Sequence, residues 1–350
     1  SLFCVGYKQD ERCLDGPALF VTITTPKPDV IRMQTVHYKG TGAKMPAFDL
    51  ALDATPLDYE ETADKITIRS ADTSLVIGRN PATFNYYYKG QRITGVGDRY
   101  GTSMLSYMEM PEGPFVRAQL ELDVGEKVYG LGERFTNFVK NGQVVDIWNE
   151  DGGTASEISY KNIPFYLTNR GYGVLVNDCG PVSFEVATEH VARVEFSVPG
   201  EKLDYMVIGG GDPKTVIRNY TALSGRPALP PAWTFGLWLS SSFTTSYDEK
   251  TVTSFIDGMA ERHIPLSVFH FDCFWLKENE WCSFEWDENM FPDVEGLLSR
   301  IHARGLKVCV WINPYLGQKS PVWDYCAEKG YLLKRPNGDV WQWEDRKSVV

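Results

Sequence analysis

The hydrophobic period of this chain changes once, and the change falls at Arg226-Pro-Ala-Leu-Pro-Pro231. Three prolines in six residues fix φ and remove backbone donors, so neither a helix nor a sheet ladder runs through the segment. Before it, up to about Ile208, apolar and polar residues alternate in short runs. Examples are Phe20-Val-Thr-Ile-Thr24, Lys65-Ile-Thr-Ile-Arg69, Val116-Arg-Ala-Gln-Leu-Glu-Leu122 and Val191-Ala-Arg-Val-Glu-Phe-Ser-Val198. Gly, Pro, Asn and Asp separate the runs, and long helical periodicity is absent. Period-two alternation with such turns predicts an antiparallel β-sandwich. After the prolines, apolar strands alternate with amphipathic helical patterns, the βα repeat of a parallel sheet.

The boundary itself is legible. Asp212-Pro213 reads as an N-cap followed by proline at the first helical position, and Gly225 stops that helix. The expected organisation is therefore a sandwich over 1–211, a helix and proline-rich linker over 212–232, and an α/β unit over 233–350. In the last, Trp233–Leu239 reads as a strand. Ser246-x-x-Glu249 reads as a capping box, with Val252, Phe255, Ile256, Met259 and Ala260 on one helix face. Leu266–Phe271 is a second strand, and Val294–Arg304 a helix capped by Asp293 and stopped by Gly305. Leu306–Ile312 is a third strand, and Ser320-Pro321 opens a helix that ends at Gly330. Arg335-Pro-Asn-Gly-Asp339 then turns a hairpin into Val340–Trp343. Three βα units fall short of the eight that close a barrel. A dinucleotide fold is unsupported, because Leu239-Ser-Ser-Ser-Phe243 stands where a glycine-rich loop would follow the first strand.

Charge and cysteine usage exclude several function classes. The net charge is -11, with no cluster of Lys and Arg, which argues against a nucleic-acid partner. No run of 18 apolar residues is present to span a membrane as a helix. The seven cysteines (Cys4, Cys13, Cys179, Cys273, Cys282, Cys309 and Cys326) form no CxxC pair, so no zinc site, other metal or cofactor is expected. Scattered thiols in apolar runs and no visible signal peptide are the pattern of a reduced, cytoplasmic protein.

Ligands of parallel α/β folds meet the carboxyl ends of the strands. Three clusters fall there: Ser240, Ser241, Ser242 and Phe243; then Asp272, Cys273 and Phe274, with Trp281 and Trp286 further along; then Trp311, Asn313, Pro314 and Tyr315. Hydroxyl-binding polar groups among aromatic faces suit a sugar ring. Asp272 ends a buried run, where an unpaired charge is costly. A catalyst, a ligand clamp and a structural partner for Lys or Arg all account for it. His263 and His270 lack metal spacing and read as packing residues, and Glu285, Asp287, Glu344 and Asp345 read as solvated loop charges.

Trp233-Thr-Phe-Gly-Leu-Trp-Leu-Ser240, His270-Phe-Asp-Cys-Phe-Trp275 and Val310-Trp-Ile-Asn-Pro-Tyr315 closely resemble the α-xylosidases of glycoside hydrolase family 31. Gly130-Leu-Gly-Glu-Arg-Phe135 and the proline-rich segment resemble the same family's sandwich and linker signatures. The resemblance implies a galactose-mutarotase-like sandwich, a (β/α)8 barrel of which this chain holds the first three units, and further β domains. It implies retaining hydrolysis of α-linked glycosides by two aspartates. The family's nucleophile follows the fourth barrel strand in a motif resembling Lys-Thr-Asp-Phe-Gly-Glu, and the acid/base lies later. Neither motif occurs here, and Glu344–Val350 departs from the family pattern. The expectation is an amino-terminal portion with no catalytic residue of its own, inactive alone.

By the same resemblance Asp272 bonds sugar hydroxyls in the -1 subsite. Cys273 and Phe274 take the room that a C5 hydroxymethyl would need, while Phe243, Trp281 and Trp311 line the pocket. Trp148-Asn-Glu-Asp151 reaches toward the aglycone side. The implied partner is a small α-linked oligosaccharide, such as an isoprimeverose-like xyloglucan fragment, acted on by a full-length enzyme that is often a homo-oligomer. The alternatives are an α-glucosidase of the same family and a non-catalytic carbohydrate-binding or assembly module.

Overall fold

The computed structural model describes residues 2–5, 18–40, 46–79, 82–96, 105–150, 157–242, 244, 246–277 and 280–342. The chain divides into two compact units, residues 1–227 and 228–350, and the division falls inside the proline-rich segment.

The first unit opens with β1 (Leu2–Val5), β2 (Leu19–Lys27), β3 (Val30–Val36), β4 (Asp58–Glu61), β5 (Lys65–Ser70), β6 (Thr73–Arg79), β7 (Ala82–Tyr88) and β8 (Gln91–Val96). It continues through β9 (Leu105–Met110), β10 (Gly113–Glu121), β11 (Val128–Gly130), β12 (Gln143–Ile147) and β13 (Phe165–Thr168). It ends with β14 (Tyr172–Val176), β15 (Val182–Val186), β16 (Arg193–Pro199), β17 (Lys202–Gly209) and helix α1 (Pro213–Ser224). Three sheets result, ordered β1-β2-β3-β17-β14-β13-β11, β12-β15-β16-β10-β9 and β4-β5-β6-β7-β8.

The alternation read from the sequence sets their faces. Val21 and Ile23, Ile66 and Ile68, Val116, Ala118 and Leu120, and Val194, Phe196 and Val198 all enter one shared core. Each fully buried Val, Leu, Ile or Phe contributes about 1.5–3 kcal/mol, and a one-residue slip of any of these strands would turn its whole set to solvent. β3 pairs with β17 from Val36↔Lys202 to Val30↔Ile208, and Arg32 grips Asp204 through Nε and Nη2 at 2.9 and 2.5 Å.

Met206 and Ile208 point away from that core and meet α1, whose Val216 and Leu223 are buried against them. Tyr220 of α1 stacks on Phe165 at 4.0 Å. The helix starts where expected, because Asp212 accepts from Lys214 N and Thr215 N. Gly225, at φ +101, ends it. α1 therefore belongs with the sandwich and covers the second face of its largest sheet.

One charged group is placed against this pattern. Glu195 on β16 is 2% exposed, and the carboxylates of Glu185, Glu189 and Glu195 approach within 4.8 Å of one another. Arg117 pairs with both Glu189 and Glu195. Burial first, and then the neighbouring carboxylates, push the Glu195 carboxyl up to about 7. A folded-state pKa above the unfolded 4.5 means that the native state holds a proton the unfolded chain has released. Stability from this group is present below about pH 4.5 and is lost as pH rises to about 7. Glu195→Gln is expected to stabilise the sandwich by about 1–2 kcal/mol at pH 8 and to change nothing at pH 4.5. Urea unfolding at the two pH values reads this directly, and equal shifts at both would contradict it.

The second unit comprises β18 (Trp238–Ser240), α2 (Glu249–Glu261), β19 (Val268–Phe271), α3 (Val294–Ala303), β20 (Lys307–Val310) and α4 (Trp323–Lys329). The strands form one parallel sheet, β18-β19-β20, with Ser240 opposite His270 and Phe271 opposite Val310. Phe269 and Phe271 face the helices and pack with Val252 and Ile256 of α2 and Leu297 and Ile301 of α3. Asp293 caps α3 by accepting from Gly296 N, as expected.

Three expectations are corrected. Only the last part of Trp233–Leu239 is extended. Ala232–Phe235 forms a 3₁₀ turn, because Thr234 donates through both N and Oγ1 to Pro231 O and Trp238 Nε1 bonds Thr234 O. The cap of α2 is Asp248 rather than Ser246. Its carboxylate accepts from Thr251 N and Oγ1 at 2.8 Å each, the N-cap bond to the third helical residue. Val252 and Ile256 are buried and Met259 half-buried, while Phe255 and Ala260 lie exposed. No helix among the described residues is long and apolar enough to cross a membrane.

Candidate functional site

The parallel register brings the carboxyl ends of β18 and β19 side by side. Ser241 N donates to His270 O at 3.0 Å, and Ser241 Oγ accepts from Asp272 N at 2.9 Å. Tyr247, buried just before α2, donates its hydroxyl to Asp272 O at 2.7 Å. The backbone of Asp272 is thus fixed from both sides before any side chain is considered. Its carboxylate accepts from Cys273 N at 2.7 Å and caps the 3₁₀ turn Cys273–Trp275. Among the described residues no Lys or Arg pairs with it.

The next side chains in sequence close around it. Burial, then the negative charge of Asp272 and a hydrogen bond to it, push the Cys273 thiol up to about 12. Cys273 therefore stays a neutral, small, apolar group and is no nucleophile. The Phe274 and Trp281 rings lie 6.1 Å apart, and Trp281 meets Trp311 edge-on at 5.1 Å. Trp275 Nε1 bonds Trp311 O at 2.8 Å, and Trp311 N bonds Phe271 O at 2.8 Å, which ties the third strand end to the second. The loops are pinned as well: Cys282 Sγ donates to Asn313 O at 2.9 Å, and Gly317 N to Trp281 O at 3.1 Å.

The structure thus joins Asp272, Cys273, Phe274, Trp281 and Trp311 in one contiguous group. Phe243 lies outside the described residues, as do Asp151, Trp343, Glu344 and Asp345. Trp286 packs into the core against Phe271, Trp275 and Phe291 rather than toward the group. His270 is a satisfied packing residue bonded to Ser240 Oγ at 2.7 Å. His263 is not one, being exposed just beyond α2 at φ +55. Glu285 is partnered by Lys277 at 2.6 Å.

A cavity of about 420 Å3 lies beside the group, walled by Trp281, Trp311 and side chains of the segment 313–342. Asp272, Cys273 and Phe274 are not on its wall. Sequence reasoning missed this cavity, although Trp341-Gln-Trp343 after a hairpin turn was a visible signal.

In the first unit, Gly130-Leu-Gly-Glu-Arg-Phe135 has a structural meaning. Gly130, Leu131 and Gly132 adopt φ of +105, +65 and +88 in succession, turning the chain so that Arg134 points inward. Its guanidinium bonds the carbonyls of Leu131, Glu157 and Asp146 at 3.2, 3.0 and 2.6 Å, and Asn162 Oδ1. Burial pulls its pKa down. Asn162 in turn donates to Trp148 O at 2.7 Å, so this motif holds the loop carrying the exposed Trp148.

Both the sandwich and the βα units correspond to domains of glycoside hydrolases. Residues 20–185 match the glycosyl hydrolase 31 N-terminal galactose mutarotase-like domain, and residues 227–350 match the glycosyl hydrolases family 31 TIM-barrel domain. The chain belongs to glycosyl hydrolase family 31. It is 49% identical over 325 residues to the α-xylosidase XylQ of Lactiplantibacillus pentosus, covering 93% of this chain and 42% of that protein. It is 45% identical over 350 residues to an α-xylosidase of Emericella nidulans, covering 95% of this chain and 45% of that one. The chain thus spans less than half the length of these relatives. Its fold is similar to that of a family 31 dextranase of Flavobacterium johnsoniae solved with glucose, at a TM-score of 0.74 and 20% identity, covering 94% of this chain and 41% of the other.

Proposed function

We propose that the whole protein of which these residues are part hydrolyses α-xylosides with retention, and that Asp272 clamps the hydroxyls of the xylosyl unit. The observation that carries this reading is a half-buried carboxylate, fixed through its backbone by Ser241 and Tyr247, without a cationic partner among the described residues and beside Cys273, Phe274, Trp281 and Trp311. Identity of 49% and 45% to two α-xylosidases supports it. Retention needs two carboxyl groups about 5–5.5 Å apart. Among the described residues Asp272 is the one acid at the ends of the three strands, so neither the nucleophile nor the acid/base of this reading is assigned to a described residue. The free thiols of Cys179, Cys273, Cys282, Cys309 and Cys326 support a reducing, cytoplasmic setting.

Release of nitrophenol from nitrophenyl α-xyloside tests the assignment. The full-length enzyme is expected to turn over, and the 350-residue chain to give nothing above an inactive control. Turnover by the short chain overturns the placement of the nucleophile, and a full-length enzyme that prefers the α-glucoside overturns the xyloside reading. Selectivity has its own test, because xylose lacks the C5 hydroxymethyl of glucose. Cys273→Ala with Phe274→Ala in the full-length enzyme is expected to raise kcat/KM for the α-glucoside relative to the α-xyloside about tenfold or more. An unchanged ratio removes the steric role of these two residues.

A further inference from the structure

The bond that holds Asp272 N departs from the ladder of the parallel sheet. Ser240 stands opposite His270, which puts Ser241 level with Phe271. In a parallel ladder such a residue donates to the carbonyl of residue 270 and accepts, at its own carbonyl, from the N–H of residue 272. The first bond is kept, since Ser241 N donates to His270 O at 3.0 Å. The second is exchanged. Ser241 O accepts from Thr244 N at 2.9 Å, which turns the chain out of the sheet, and Asp272 N donates to Ser241 Oγ at 2.9 Å instead. Without a side-chain oxygen at 241, this turn would leave Asp272 N with no acceptor. The neighbouring hydroxyl of Ser240 serves its own loop, bonding His270 Nδ1 at 2.7 Å and accepting from Ser242 N at 3.1 Å.

The carbonyl of Asp272 is held from a second element. Tyr247, just before α2, donates its hydroxyl to Asp272 O at 2.7 Å. Phe271 and Phe291 pack against its ring at 6.3 and 5.7 Å, which fixes the direction of that hydroxyl. Ser241 and Tyr247 are each 1% exposed, and neither is on the cavity wall. Both amide groups flanking the Asp272 side chain are thus held by buried hydroxyls from outside its own loop. A carboxylate that bonds sugar hydroxyls gains most from such fixing, because a misplacement of about 1 Å costs up to about a hundredfold in rate.

We propose that Ser241 and Tyr247 are positioning residues, which act through Asp272 by aiming its carboxylate at the xylosyl hydroxyls. The inference rests on the clamp proposed for Asp272. In the full-length enzyme Ser241→Ala is expected to lower kcat/KM for nitrophenyl α-xyloside about tenfold, and Tyr247→Phe by a similar factor. Ser241→Thr keeps the hydroxyl and is expected to stay within about twofold of the parent. Combined with Asp272→Asn, Ser241→Ala or Tyr247→Phe is expected to cost less than about twofold further, because the group they aim is already lost. A merely structural role predicts the full loss again in that background. Tyr247→Phe removes one oxygen and keeps the ring, so it carries the test by itself where Ser241→Ala fails to fold. Parent-like kcat/KM in Ser241→Ala and Tyr247→Phe, a loss that Ser241→Thr shares, or an undiminished loss beside Asp272→Asn overturns the positioning role alone. An Asp272→Asn variant with the parent's kcat/KM overturns the clamp and this inference with it.

Discussion

Under the clamp proposed for Asp272, Asp272→Ala is expected to cost the whole enzyme more than a hundredfold in affinity for xylose. An ionised carboxylate that accepts hydrogen bonds from two sugar hydroxyls contributes about 1.5–3 kcal/mol through each, and about 3 kcal/mol corresponds to more than a hundredfold. The same carboxylate caps the turn at Cys273–Trp275, so the alanine variant alone would mix binding with local folding. Asp272→Asn separates them. Asparagine keeps an oxygen for Cys273 N and is as good a cap as aspartate, but it lacks the charge. The asparagine variant is expected to retain the wild-type near-ultraviolet spectrum and still lose most of the affinity. An asparagine variant that binds xylose as tightly as the parent would show that Asp272 is a structural cap and nothing more.

Gly132→Ala is expected to destabilise the sandwich by about 3 kcal/mol or more. Two costs combine at this position. At φ +88 a side chain costs about 1–2 kcal/mol through backbone strain alone. A Cβ there would also lie 2.0 Å from Lys161 O and 3.0 Å from Asn162 Cα, so the Lys161–Ile163 backbone would have to move. That movement breaks the bond from Glu133 N to Lys161 O, 2.9 Å in the parent. It also disturbs Asn162, a partner of Arg134. Gly142 provides the control. Its φ is +83, but a Cβ added there would meet nothing within 4 Å, so Gly142→Ala carries only the strain, about 1 kcal/mol. Thermal unfolding should place the first variant roughly 6–12 °C below the parent and the second only a few degrees below it. Equal shifts would show that close approach at Gly132 has no energetic weight.

The strands of the sandwich were legible because each is buried on one face, and burial on one face writes itself as alternation. The helix at Asp212-Pro213 was legible because both of its ends carry local chemistry. Trp233–Leu239 misled for the opposite reason. Its aromatic and aliphatic residues favour strands, but the turn is set by Pro231 O and Thr234, and no periodicity reports such a bond. At Ser246 a plausible cap lay two residues before a better one. Asp272 stood out as a lone acid after a buried run. The cavity was missed because Trp341-Gln-Trp343 signals only one of its walls, and the others come from as far back as Trp281 and meet through bonds such as Cys282 to Asn313. Nor could the motif ending in Phe135 disclose that Arg134 ties its own turn to β12 and Glu157, because three of its four partners are backbone carbonyls whose residue types carry no signal.

The pairing of β3 with β17 has a kinetic side. Arg32 and Asp204 are 172 residues apart, and the sheet they join cannot be completed until the last strand of the sandwich has left the ribosome. The bonds that build the strand-end group and its neighbouring cavity span far less chain: 31 residues from Ser241 to Asp272, 36 from Trp275 to Trp311, and 31 from Cys282 to Asn313. Loop closure over such short separations is quick, whereas a sheet closed by its most distant strands is slow to nucleate. The unit made first therefore waits longest for its core. The unit made second can settle its strand-end loops one βα unit at a time, as each emerges.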